Sequence, residues 1–165
     1  MIVLAAVSGC NTTEQEREFE IPKALCGMAI DPGHLEVVLP SDGKTLSTRS
    51  SDLVGYDRCV VTVDGVAVLS ATREWLRANT TVTSVASSVR GVKIDHVSED
   101  RRYAWGAQGA VSQVSCPKPK EKHQDMQLWV KIFTANGGRP DEDRMRALVL
   151  DYTRAVSESD ECTTG

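Results

Sequence analysis

Five cysteines and three histidines are the residues of this 165-residue chain with the most chemistry to offer. Cys10 stands apart from the rest. It closes the stretch Val7-Ser8-Gly9-Cys10 and follows the apolar run Ile2-Val3-Leu4-Ala5-Ala6, the arrangement that ends a bacterial lipoprotein signal. Small side chains let an extended backbone lie in a peptidase cleft, and the thiol is the nucleophile for a thioether link to lipid. Residues 1–9 therefore read as the remnant of a signal peptide, with Cys10 as the lipidation site. Such a signal carries a positive n-region ahead of about 7–15 apolar residues. No Lys or Arg precedes Cys10, so the true start is expected upstream. The apolar run is also too short to span a membrane, which takes about 20 residues.

Cys26, Cys59, Cys116 and Cys162 remain, an even number with no Cys-x-x-Cys pair. Zinc sites draw on closely spaced ligands, so no metal site is expected. In an exported chain such cysteines form disulfides, each worth about 2–4 kcal/mol. Four cysteines allow three connectivities, and sequence alone does not choose between them. The pairing expected is Cys26 with Cys59, pinning the N-terminal segment to a central hairpin, and Cys116 with Cys162, pinning the chain end to a strand end.

His34, His96 and His123 lie in unrelated segments without ligand spacing, and read as solvated surface residues. No Gly-x-Ser-x-Gly elbow, phosphate loop or dinucleotide fingerprint is present, so no catalytic residue and no cofactor are assigned. Aromatic side chains offer the one candidate ligand surface. Trp129 and Phe133 share a strand face with Gln127 and Lys131, and Tyr103 and Trp105 make a similar pair. An open face of this kind would be a platform for flat or glycan ligands. Covered by the C-terminal helix, it would simply be core.

The elements that must hold these residues belong to one domain. Apolar residues make up 41% and charged residues 25%, ordinary for a globular protein. Aromatics are only 5%, and the weight of valine favours sheet. A net charge of −4 argues against a nucleic-acid partner. Residues 10–20, polar and acidic, predict a flexible lipidated tether, and 21–165 a single domain.

Asp31-Pro32 starts a helix with Leu35, Val38 and Leu39 inward. Lys44 to Ser50 reads as a short strand. Asp64-Gly65, between two valine-rich runs, predicts a type I′ hairpin over Arg58–Ala71. With Val63 opposite Val66, one face carries Cys59, Val61, Val63, Val66 and Val68, and the other Val60, Thr62, Ala67, Leu69 and Ala71. Both faces are apolar enough to be covered. Thr81 caps a helix bearing Val82, Val85, Ala86 and Val89, stopped by Gly91. A second hairpin spans Arg101–Gly106 and Ala110–Cys116. Gln127 to Thr134 alternates, with Leu128, Val130 and Ile132 on one face. Pro140 to Ser157 is the strongest helix, its stripe formed by Met145, Leu148, Val149, Tyr152, Ala155 and Val156. Strands in hairpins with scattered helices predict an α+β fold. The expected architecture is an antiparallel sheet of about five strands, two disulfides and the C-terminal helix on one face.

Ile21-Pro22-Lys23-Ala24-Leu25-Cys26-Gly27, then Asp31-Pro32 and Leu39-Pro40, resemble the opening of a family of actinobacterial secreted lipoproteins of unknown function. Tyr56-Asp57-Arg58-Cys59, Val63-Asp64-Gly65, Arg73-Glu74-Trp75 and Ser159-Asp160-Glu161-Cys162 are similar to its later landmarks. The resemblance covers the chain from Ile21 to Cys162 and rests on cysteines, turns and caps. It implies export and lipid attachment, and supplies no activity. Sequence therefore leads to the expectation of a membrane-anchored, extracytoplasmic, non-enzymatic binding module, with an envelope protein or glycan as partner. A small cell-envelope hydrolase is the alternative.

Overall fold

A computed structural model describes residues 16–164. Cys10, the signal remnant and the first part of the tether lie outside them. The chain opens with a small ribbon, β1 (Ala24–Leu25) and β2 (Met28–Ala29), followed by α1 (Pro32–Val38). Next come β3 (Leu46–Leu53), β4 (Tyr56–Val63), β5 (Val66–Arg77) and α2 (Val82–Ser88). β6 (His96–Val97), β7 (Tyr103–Trp105), β8 (Gly109–Gln113) and β9 (Met126–Thr134) complete the strands. α3 (Glu142–Ser157) and the short α4 (Asp160–Thr163) end the chain.

The fold is α+β, with one antiparallel sheet in the order β3-β4-β5-β9-β8-β7-β6. Seven strands replace the five or so expected. β6 is too short to leave a pattern in sequence, and β5 runs on to Arg77, past the expected end at Ala71. α3 packs on one face with α1 beside it, and its stripe Met145, Leu148, Val149, Tyr152 and Val156 is buried. α2 covers part of the other face, where Val82, Val85 and Val89 meet Ala104, Val111 and Trp129.

Side chains cap each of these helices. The Asp31 carboxylate accepts from the Gly33 N–H at 2.8 Å, the Thr81 hydroxyl from Ser84 at 3.3 Å, and Asp141 from Arg144 at 2.9 Å. Each satisfies an orphan donor of the first turn. At the β4–β5 turn Asp64 and Gly65 both take positive φ, 49° and 81°, as a type I′ turn demands. The Asp64 carboxylate also accepts from the N–H groups of Lys44 (3.0 Å) and Thr45 (2.8 Å), so this turn fixes where β3 begins. Those backbone bonds hold its pKa below the usual carboxylate range.

The hairpin register departs from the regular pairing. Val63 does face Val66, but Val61 pairs with Leu69, leaving Val68 as the extra residue of a bulge. Val68 and Leu69 consequently both enter the main core, and Ala71 joins Cys59, Val61 and Val63 on the α3 face. β5 is covered on both sides from Val68 to Thr72. β4 is not: Val60 and Thr62 remain half-exposed.

Both disulfides form with the expected pairing, Cys26–Cys59 and Cys116–Cys162. The first joins the β1–β2 turn to β4, and the second joins the segment after β8 to α4. Such crosslinks belong to an oxidising, extracytoplasmic compartment. Among the described residues no helix is long and apolar enough to cross a membrane. The packed chain begins before Ile21, because Arg17 donates to the Pro40 carbonyl at 2.9 Å and Phe19 packs against the core.

Candidate functional site

β8 and β9 carry Gln113 and Trp129 opposite one another at one end of the sheet. The start of α2 and the turn between β6 and β7 stand over them and enclose a cleft of about 580 Å³. Trp129 lies at its base and is 1% exposed. Alternation along β9 puts the indole opposite Leu128 and Val130, so it faces α2 and not α3. Its Nε1 is buried and has no hydrogen-bond partner. An indole N–H can only donate, so Trp129 carries a buried donor without an acceptor beside the cleft it lines. Around it stand Thr80, Thr83 and Gln113, with the exposed Glu99 and Arg101 at the rim. Such a lining suits an oxygen-rich ligand that both gives and takes hydrogen bonds.

The other three aromatic candidates lie elsewhere. Phe133 is half-buried against the α2 cluster and does not line this cleft. Tyr103 and Trp105 face the α3 side of the sheet, 5.3 Å apart between ring centroids. The Arg146 guanidinium of α3 lies over both, 4.7 Å from the Trp105 centroid and 5.7 Å from that of Tyr103. It also donates to the Tyr103 hydroxyl at 3.0 Å, and His96 stacks on Trp105. With a cation and an imidazole already on them, these rings clamp the sheet edge to α3. The four aromatics thus form no common platform.

A second cleft, of about 270 Å³, opens where the β3–β4 turn meets the short 3-10 turn Glu121–His123. Here the expectation of solvated histidines fails for His123, which is 8% exposed. It stacks on Trp75 at 4.2 Å with 17° between ring planes, a contact between distant segments that local sequence does not announce. Burial, with Lys122 adding to it, pushes the imidazole pKa below its ordinary value, and Nδ1 has no partner. The surrounding polar groups are chained together. Trp75 Nε1 donates to Glu161 at 2.9 Å, Arg73 lies 3.4 Å from Glu161, and Arg73 donates to Asp57 at 3.1 Å. Burial raises the Asp57 pKa despite Arg73, with Glu161 pushing the same way. Tyr152, buried beneath this network, is pushed up to about 12 by burial.

Opposed shifts on a carboxyl and an imidazole in one cleft are a pattern seen in acid–base sites. The residues lining this cleft include no serine, threonine or cysteine. Of the other two histidines, His34 is half-buried with its Nδ1 out of reach of solvent, and His96 is exposed on the sheet edge. His34 Nδ1 sits 3.4 Å from Asp151, and His96 Nε2 3.1 Å from Glu142. No group among the described residues could hold a metal ion.

No protein-family model matches the chain, and neither a curated protein nor a solved structure does. Fold and clefts together define a disulfide-crosslinked α+β domain with several solvent-open recesses, the Trp129 and His123 clefts among them.

Proposed function

We propose that this protein is an extracytoplasmic lipoprotein, anchored by lipid on Cys10, whose domain is a non-enzymatic binding module with its ligand seated over Trp129. The observation that carries the reading is the unpartnered indole N–H at the base of the larger cleft. A buried donor without an acceptor costs about 1–3 kcal/mol. A ligand oxygen placed there removes that cost, and the hydroxyl and amide groups nearby fit a glycan of the cell envelope.

Topology supports the same reading. Glu18 donates its N–H to the Gly43 carbonyl beside the Asp64 turn, so the described chain enters the domain at that end of the sheet. Trp129 lies in register with Glu74 and Tyr56, at the far end of β4. With a rise of roughly 3.3 Å per residue the two ends are separated by about 23 Å. A tethered domain would thus present the cleft away from its anchor.

Two experiments test the proposal. Intact mass of membrane-extracted native protein should show diacylglycerol on a chain beginning at Cys10. A soluble native chain that still carries Val7-Ser8-Gly9 ahead of Cys10 would refute the anchor. Titration with soluble cell-wall oligosaccharides should then perturb the Trp129 indole resonance saturably. Trp129→Phe keeps an aromatic ring in the core but deletes the donor, and is expected to weaken binding at least tenfold while the domain still folds. Equal affinity of the variant and the parent would rule the site out.

A further inference from the structure

The two most exposed large hydrophobic residues among those described are neighbours, Val54 at 95% and Leu53 at 69%. Both line the His123 cleft. They sit on the β3–β4 turn, where nothing in the hairpin's own folding requires aliphatic side chains. The floor beside them is the stacked pair of Trp75 and His123, and the opposite wall carries Lys120 and Lys122.

The polar groups of this cleft divide unevenly. Its two carboxylates are already engaged, Asp57 by Arg73 and Glu161 by both Arg73 and the Trp75 N–H. The cationic side is not. Lys120 and Lys122 are exposed and take part in none of the ion pairs among the described residues. Nδ1 of His123, on a side chain more than nine-tenths buried, has no partner either. What the cleft offers a ligand is therefore two ammonium groups beside the buried His123 ring, and an aliphatic and aromatic surface from Leu53, Val54 and Trp75.

We propose that this cleft is a second binding site, separate from the Trp129 cleft, for a small organic anion with an apolar body. The anionic head sits between Lys120 and Lys122, beside the His123 ring. The apolar body covers Leu53, Val54 and the edge of Trp75. Burying those two aliphatic side chains is favourable at about 25 cal/mol per Å² of apolar surface removed from water. The ammonium groups select against a neutral analogue of the same shape. A volume of about 270 Å³ limits the occupant to a few heavy atoms beyond its head group.

The test uses the full chain and two probes matched in shape, hexanoate and hexanamide, followed through the Leu53 and Val54 methyl and His123 ring resonances. Hexanoate should move all three saturably, and hexanamide should bind at least tenfold more weakly. Lys120→Gln with Lys122→Gln should weaken hexanoate at least tenfold without changing the melting temperature, both side chains being exposed. Trp129→Phe should leave hexanoate binding unchanged, so failure here and failure of the glycan site are separable. Shifts that rise linearly without saturation, or that are equal for acid and amide, would overturn the proposal. So would sedimentation with phosphatidylglycerol vesicles of the Cys10→Ser chain, which has no lipid of its own, in the absence of any response to hexanoate, which would assign the patch to a lipid surface.

Discussion

Reduction of both disulfides is expected to lower the melting temperature by about 15–30 °C. The crosslinks close loops of sequence separation 33 and 46. Loop-closure entropy assigns each of them about 4 kcal/mol by restricting the unfolded chain. At roughly 2–4 °C per kcal/mol for a domain of this size, the pair accounts for the shift. The core makes this share large. Its members are mostly valine, leucine and alanine, and only Trp75, Trp129 and Tyr152 among its buried residues are aromatic. Each small side chain removes less apolar area from water, so the margin over chain entropy is thin. Thermal melts with and without reductant measure the effect, and melts with EDTA provide the contrast. A change of only a degree or two on reduction would show that the packed core suffices. A fall with EDTA would reveal a metal the domain depends on.

Local chemistry made much of this fold legible, and non-local packing hid the rest. Asp64-Gly65 could be read as a tight turn because positive φ at two successive positions leaves few residue choices. The caps at Asp31 and Thr81 were legible because a helix start calls for a short side-chain acceptor. The bulge at Val68 was not. From Val68 to Thr72 both faces of β5 are covered, so the period of two that would fix register is erased. β9 alternates strictly, and its inward and outward residues were placed correctly. Which helix covers Trp129 is a tertiary matter, and it is α2 rather than the C-terminal α3. His123 shows the same limit more sharply. Its lysine-rich setting describes an exposed loop, and only Trp75 from β5 turns it into a buried residue.

Trp75 is accordingly where stability and the chemistry of the smaller cleft meet. Trp75→Ala is expected to cost about 3–5 kcal/mol, the range for truncating a buried aromatic. The ring is 6% exposed, belongs to the main core and is tied through Nε1 to Glu161. Its loss should also change His123. Burial is the first cause of the depressed imidazole pKa, so opening the stack should return it toward an ordinary value of about 6.5. The consequence for pH has a definite sign. With a folded pKa below the unfolded one, the unfolded chain binds more protons between the two values. Stability therefore rises with pH through that window, and acidification from neutral pH through about 6.5 destabilises the native protein. Asp57 acts oppositely, since its raised folded pKa makes the native state the better proton binder just above the ordinary carboxylate range, about 3.9. Melting temperatures between about pH 3.5 and 8, with NMR titration of the His123 ring, separate the two contributions. Trp75→Ala should flatten the slope near neutrality, whereas Trp75→Phe, which can keep a stacked ring, should retain it. An unchanged His123 pKa in Trp75→Ala would mean that the 3-10 turn buries the imidazole without help from the indole, and that the cleft floor forms independently of β5.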